Sequence, residues 1–324
     1  MNLESMRNRL LNKLVIHPEQ KYVFYFKHHN DIIEEYHGNS IHEYSNFHIA
    51  SITKQFTAYS IFILIEKKLL TLSTTLKEIY SNIPNYLKEI TIEQLLTHQS
   101  GLLEYWDQIS VSRIVDRDVI EYLFSHESIP LGPKNNFYYS NANYILLGNI
   151  IEVLSGMSYE EFLHHHVFEP HHLFHTFINS EKIPDRVYGT TLENDHFVLS
   201  DHSHSSDTQA DGGIYSNLHD LKKWLKVIQI DPICQKCQVK QVLTHQPDVF
   251  YGYGFKIYDF GHIIYHGGST MGFKASLGFS KELGIEFIFL TNCNHAESFQ
   301  MIENIVSVFK GDVLKNESSN IKIS

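Results

Sequence analysis

The chain has 324 residues, 43% hydrophobic and 19% charged, ordinary proportions for a globular protein and too apolar for disorder on a large scale. Its 26 Lys+Arg against 37 Asp+Glu leave a formal net charge of −11, which argues against a non-specific nucleic-acid binder. With 3 cysteines a disulfide scaffold is excluded, and the 22 histidines would cancel much of the negative charge below about pH 6.

The opening segment, MNLESMRNRLLNKLVIHPEQ, holds no apolar run of signal-peptide length and no small-residue cleavage site. The apolar run Ile61-Phe62-Ile63-Leu64-Ile65 stops at Glu66, far short of the roughly 20 residues a membrane span needs. The expectation is a cytoplasmic protein without a membrane partner. Residues 21–26 (KYVFYF) and 32–37 (IIEEYH), separated by His28-His29-Asn30-Asp31, predict a β-hairpin. From Ser51 to about Leu70 the chain is apolar nearly all round, the pattern of a helix buried inside a protein. Thr91-Ile92-Glu93-Gln94 is a T-x-x-Q capping box that opens another helix, with Gly101 as its stop. Residues 70–210 carry helical patches and few strand signals. Beyond about residue 250, YGYGFKIYDF, HIIYH, FKASLGFS and IEFIFLTN read as strands at hairpin distances, and residues 296–309 as a closing amphipathic helix.

Strands at both ends with helices between predict an α/β (α+β) fold: a central antiparallel sheet built from the two termini, flanked by helices, with a mostly helical subdomain. The expected organisation is one domain over 1–315, its sheet part about 15–70 and 245–315 and its helical part about 71–244, followed by a polar tail at 316–324. No internal repeat and no long linker is visible.

The chemistry starts from a serine that has something to take its proton, because a free hydroxyl is a poor nucleophile at neutral pH. In Ser51-Ile52-Thr53-Lys54 the lysine lies three residues on, where a helix places both side chains on one face. The same S-x-x-K spacing recurs at Ser307–Lys310 and Ser319–Lys322, so spacing alone does not choose among them. Tyr139-Ser140-Asn141 offers a phenol and an amide two positions apart. Y-S-N also occurs at Tyr44, Tyr80 and Tyr215, but only the Tyr139 copy is followed by a helix-forming run, Ala142-Asn143-Tyr144-Ile145-Leu146-Leu147-Gly148. His266-Gly267-Gly268-Ser269 lies between two predicted strands. Glycines there would let a substrate come close to the backbone, so that an N–H binds a developing oxyanion.

With S-x-x-K, Y-x-N and H-x-G in that order, the sequence resembles the serine beta-lactamase and penicillin-binding superfamily, in its class C and esterase-like branch of peptidase family S12 type. The likeness runs from about residue 20 to 310 and includes Leu95-Leu96-Thr97-His98-Gln99-Ser100-Gly101-Leu102 and Gly212-Gly213-Ile214-Tyr215-Ser216 with Asp220, Leu221 and Trp224. It implies a beta-lactamase/transpeptidase-like fold with Ser51 as the acylated nucleophile, Lys54 as base or proton relay, and Tyr139 sharing that role. Asn141 would bind the substrate carbonyl, and the N–H groups of Ser51 and Ser269 would form the oxyanion hole. His266 and Gly268 would border the substrate.

The sequence departs from the dedicated beta-lactamases at His266, where those enzymes place lysine. A largely neutral imidazole suits an uncharged ligand near pH 7 and would gain charge toward pH 6. The expectation is therefore a serine hydrolase of esterase, amidase or D-amino-acid peptidase type, with weak beta-lactam hydrolysis. A penicillin-binding, beta-lactamase-type or non-turnover sensing protein is the alternative. Its partner would be a small-molecule or peptide substrate, with no cofactor and no metal, and the sequence does not specify the oligomeric state. Cys234-Gln235-Lys236-Cys237 reads as a solvent-exposed pair in a loop rather than half a zinc site. His164-His165-His166 and His171-His172-x-x-His175 read as surface or structural groups, and His202 and His204 as residues on the rim of the site.

Overall fold

The computed structural model describes residues 3–320 apart from 130, 133, 180–181, 205–206 and 296–299. The two ends of the chain meet in one sheet. β1 (Tyr22–His28) and β2 (Asp31–His37) form the hairpin that the aromatic runs predict, in the register Tyr22↔His37 to His28↔Asp31. The other edge of β1 pairs with β8 (Ile285–Thr291). Between them in sequence come β3 (Val242–Leu243), β4 (Val249–Tyr251), β5 (Lys256–Tyr258), β6 (Ile263–Thr270) and β7 (Phe273–Ser280). All eight make one antiparallel sheet in the order β2-β1-β8-β7-β6-β5-β4-β3.

Both faces of this sheet are covered. Alternate residues of β1 point opposite ways, so Val23 and Tyr25 join the larger core while Tyr22, Phe24 and Phe26 join a second one. The second core is closed by helices α1 (Leu3–Leu10) and α5 (Gln300–Asn320), through Met6, Leu10, Met301, Ile302 and Ile305. The larger core contains α2 (Thr53–Glu66), α3 (Asn141–Ser155) and α4 (Leu218–Ile230). Helix α2 is buried on every side from Thr53 to Phe62, and the Phe56 ring stacks on Trp224 of α4 at 4.2 Å. It ends at Glu66 rather than near Leu70, because Lys68 takes a left-handed φ of 60°. Among the described residues no helix is long and apolar enough to cross a membrane.

Several expectations need correction. The Thr91–Gln94 capping box forms, but its helix is Ile92–Leu96 and stops well before Gly101, since His98 turns the chain with a φ of 57°. YGYGFKIYDF is two strands, β4 and β5, joined through Gly254 at φ 78°; a Cβ there would lie 2.5 Å from the Lys54 carbonyl oxygen. The glycine therefore lets this turn rest directly on α2. The middle of the chain also forms strands that no pattern announced: Phe47–His48, Ile214–Ser216 and Phe177–Ile178 pair in one small sheet, and Thr190–Glu193 with His196–Leu199 in another. Cys234 and Cys237 are not exposed. They sit on the helix Pro232–Cys237 with their side chains buried, and burial keeps both thiols protonated. Of the closing helix, 296–299 fall outside the described residues, and α5 continues to Asn320 through much of the expected tail.

Candidate active site

Helix α2 is entered through the single turn Ala50–Ile52, and its position is set by the small sheet behind it. Ile49 N–H donates to the Ile214 carbonyl at 2.9 Å, and Ala50 N–H to His48 Nδ1 at 3.1 Å. Ala50 has a φ of 47°, a strained setting for a residue with a Cβ, and this bend presents Ser51 at the mouth of the helix. Lys54 follows one turn later and is completely buried. Its Nζ lies 3.1 Å from Ser51 Oγ, 2.6 Å from Asn141 Oδ1 and 2.7 Å from the Asp211 carbonyl oxygen. Two of those partners are carbonyl oxygens, which only accept. The third is a hydroxyl, which can also donate.

The other S-x-x-K serine with a described lysine is far from this arrangement: Ser307 lies on α5, its carbonyl bonded to Arg9, and Lys310 rests on the Phe260 ring. Lys322 lies outside the described residues. The Y-S-N copies are also sorted by position. Tyr44 packs on His175 and His219, Tyr80 donates to Asn149, and Tyr215 accepts from Arg186, whereas the Tyr139 ring centre is 5.0 Å from Lys54 Nζ. Tyr139 touches Lys54 through its ring, and its hydroxyl makes no hydrogen bond to a described residue.

The strand side of the cleft is β6, which outruns β5. Their pairing ends at Lys256↔Tyr265, so from His266 onward β7 is the only strand paired with β6. Ser269 and Thr270 border the same cavity as Ser51, Asn141 and Asp211, a space of about 160 Å³ that also meets His48, Trp106 and Gly212. Gly268 is packed closely on the segment before the helix: a Cβ on it would stand 2.1 Å from the Ile49 carbonyl oxygen, so the glycine admits the chain that carries Ser51.

His266 departs from expectation. It is 1% exposed and borders neither this cavity nor the neighbouring one. Its Nδ1 is 2.7 Å from the Gly267 carbonyl, so Nδ1 carries the proton, and Nε2, 3.2 Å from Tyr251 Oη, accepts from the phenol. Burial, then Lys256 and Lys54, hold the imidazole well below its ordinary range, so it stays neutral at pH 6. The gain of charge expected there does not occur.

Four residues of the site were not singled out for a role by sequence reasoning. His98, in the LLTHQSGL stretch, is fully buried; it accepts from Ser140 N–H at Nδ1 and lies 4.3 Å from the Tyr139 ring, fixing the Tyr139 loop. Glu104 accepts from Asn141 N–H at 3.0 Å, and burial pushes its carboxyl up to about 7. Asp211 borders the Ser51 cavity with its carboxyl raised by burial against the pull of Lys54. Lys256, on β5, has its Nζ 5.9 Å from the Tyr139 ring centre. Only His98 had a sequence signal, as part of the LLTHQSGL landmark.

Other features lie away from this centre. A groove of about 980 Å³ is lined by Lys21, His37, Arg186 and Asn292 among others and contains neither Ser51 nor Lys54. His164, His165 and Glu169 bring ligand atoms within 4.8 Å of one another on an exposed surface, where each imidazole has Glu169 as its ion-pair partner. His202 lies against Asp201, and His204 against the Ile109 carbonyl; neither borders the Ser51 cavity.

Comparison with known proteins places this geometry in context. The family model described as Beta-lactamase matches residues 23–308. Penicillin-binding protein 4* of Bacillus subtilis (strain 168) is 27% identical over 263 residues, covering 72% of this chain and 57% of its own length. The chain thus spans a little over half the length of the curated relatives it matches. An octameric penicillin-binding protein homologue from Pyrococcus abyssi superimposes with a TM-score of 0.79 at 24% identity, over 96% of this chain and 78% of that one. The D-amino acid amidase of Ochrobactrum anthropi SV3, in complex with L-phenylalanine amide, gives 0.78 at 19% identity, over 97% and 99%. Both likenesses show the fold.

Proposed function

The chain belongs to the beta-lactamase family, and on that premise we propose that it is a serine hydrolase that forms an acyl-enzyme through Ser51 and cleaves an ester or amide. The observation that carries this reading is the set of partners around Lys54 Nζ. A neutral amine has two N–H bonds and one lone pair. An ammonium at this position donates to all three oxygens; once it has lost a proton, N–H groups directed to Asn141 Oδ1 and the Asp211 carbonyl leave the lone pair for the Ser51 hydroxyl, the orientation a general base requires. Lys54 is therefore the first base in this reading. Tyr139, whose hydroxyl has no bond to Ser51, is a relay that engages once substrate is bound.

In the first half-reaction Ser51 Oγ adds to the substrate carbonyl carbon while its proton passes to Lys54. The N–H groups of Ser51 and Ser269 receive the charge that builds on oxygen. Collapse of the adduct breaks the bond to the alcohol or amine, which leaves with the proton. Water, deprotonated by the same amine, then attacks the acyl-enzyme and releases the acid and the Ser51 hydroxyl. Asn141, whose oxygen is held by Lys54, turns its amide N–H₂ to the substrate carbonyl. Esterase, amidase and D-amino-acid peptidase chemistry all fit this scheme. A screen of short acyl esters, D-aminoacyl amides and beta-lactams with the wild type and Ser51→Ala tests it: turnover of an ester or amide that disappears with Ser51→Ala supports the proposal. Failure of every class, or activity that survives the substitution, rejects it.

A further inference from the structure

Lys256 and Tyr139 border a second cavity, distinct from the one that Ser51 lines. Lys256 is partly exposed, its side chain makes no hydrogen bond or ion pair with a described residue, and its Nζ lies over the Tyr139 ring. It borders a cavity of about 230 Å³ with Phe137, Tyr139, Thr244, His245 and Gln246, and this lining includes no carboxylate. Two aromatic faces, a cation and an amide side chain therefore converge on one small space beside the reacting residues. Holding the cation there is unfavourable: burial, then Lys54, press its ammonium down to about 8. The neighbouring imidazoles give no relief, since His266 is neutral and turned to Tyr251, and His245 lies against Phe137. The missing component is an anion.

We propose that Lys256 and this cavity form a subsite for a carboxylate carried by the substrate, with the adjoining apolar part of the substrate held between Phe137 and Tyr139. The proposal rests on the reading of Ser51 as nucleophile and adds the substrate class. A carboxylate would accept a charge-assisted hydrogen bond from Nζ, roughly twice as strong as a neutral one, with the Gln246 amide available as a second donor. It also revises the expectation drawn from His266. The cation absent from that position is provided by the adjacent strand, so neutrality of His266 does not imply a neutral ligand.

Two measurements keep this inference separable from the hydrolase reading. The first compares kcat/KM for matched esters, phenyl acetate against 3-acetoxybenzoate and 4-nitrophenyl pentanoate against mono-4-nitrophenyl glutarate, in the wild type, Lys256→Met and Lys256→Arg. The second measures binding of phenylacetate and phenylacetamide by calorimetry in the same proteins. The expected result is a wild-type preference for one carboxylated ester over its neutral mate. That ratio should fall roughly 10- to 100-fold in Lys256→Met and largely return in Lys256→Arg, matching the cost of removing one partner of a charged hydrogen bond. Phenylacetate binding should be lost in Lys256→Met and kept in Lys256→Arg. Ester hydrolysis without charge preference, together with equal phenylacetate binding in all three proteins, overturns the subsite and leaves the hydrolase standing. Binding of phenylacetate that depends on Lys256 in a protein that turns over no ester supports the subsite and removes the hydrolase. An equal fall for both members of each ester pair assigns Lys256 a packing role and overturns the proposal.

Discussion

The two sides of the cleft are built on opposite principles. On the helix side, Lys54 is fully buried and has three oxygen partners, Asn141 is held at both its Oδ1 and its backbone N–H, and the Gly254 turn packs on the lysine's own carbonyl. On the strand side, His266 has turned inward to Tyr251 and Gly267, and Lys256 faces a cavity with no counter-charge. The difference separates machinery from recognition. Groups that must be aligned before a substrate arrives are aligned by folding, at a cost met by the core around α2, whereas a group that reads the substrate keeps its bonding capacity open.

That comparison can be broken most forcefully from the helix side. Lys54→Met keeps the length of the side chain and removes the base, so kcat should fall by about three orders of magnitude or more, with Lys54→Arg no better because a guanidinium has no lone pair to offer. Steady-state kinetics beside a melting curve would check it, and a loss smaller than tenfold would mean that Tyr139 or another group serves as base. A second test falls where the two sides touch. Gly268→Ala forces β6 away from the Ile49 carbonyl and should cost about 1–3 kcal/mol of stability, together with a clear loss of kcat as Ser269 moves relative to Ser51. Chemical denaturation and kinetics on the same preparation measure both, and an unchanged enzyme would show that the close approach is not needed.

The smallest effect concerns His266. Its folded-state pKa lies below the ordinary value, so the unfolded chain binds the extra proton more readily. The contribution of this residue to stability is therefore present above about pH 6.5 and is lost as the pH falls below it. His266→Gln removes that loss, and its Tm should approach the wild-type value as the pH is lowered from 7 to 5. Tyr251 and the Gly267 carbonyl, which bond the ring, and Lys256 and Lys54, whose charges act on it, are common to both proteins, which makes the difference specific to the imidazole. A Tm gap that widens on acidification would show that His266 charges in the folded protein, as its sequence position first suggested.

What the sequence revealed follows the same division. The Ser51–Lys54 pair, the copy of Y-S-N that precedes a helix, and the strands on both sides of the Gly267-Gly268 pair are local patterns, and local patterns survive into the fold because i, i+3 geometry and strand alternation need no distant partner. The features that could not be read depend on what packs against them from far along the chain. Lys256 looks like an ordinary strand residue until the Tyr139 loop, over a hundred positions earlier, comes to rest beside it. Cys234 and Cys237 look like a surface pair until their helix docks on α2, and His266 looks like a ligand-facing group until Tyr251 takes its free nitrogen. Gly268 reads in sequence as a place of close approach, and the approach seen in the fold is that of the Ile49 carbonyl oxygen.

The central claim is that Ser51 is the residue that becomes acylated. The most direct measurement is to react the protein with a fluorophosphonate probe and locate the adduct by peptide mass spectrometry, with Ser51→Ala and Lys54→Met treated in parallel. The account predicts a single adduct on Ser51, absent from Ser51→Ala and formed far more slowly in Lys54→Met. An adduct on Ser307 or Ser319, or ester turnover that continues while Ser51 stays unmodified, would contradict it.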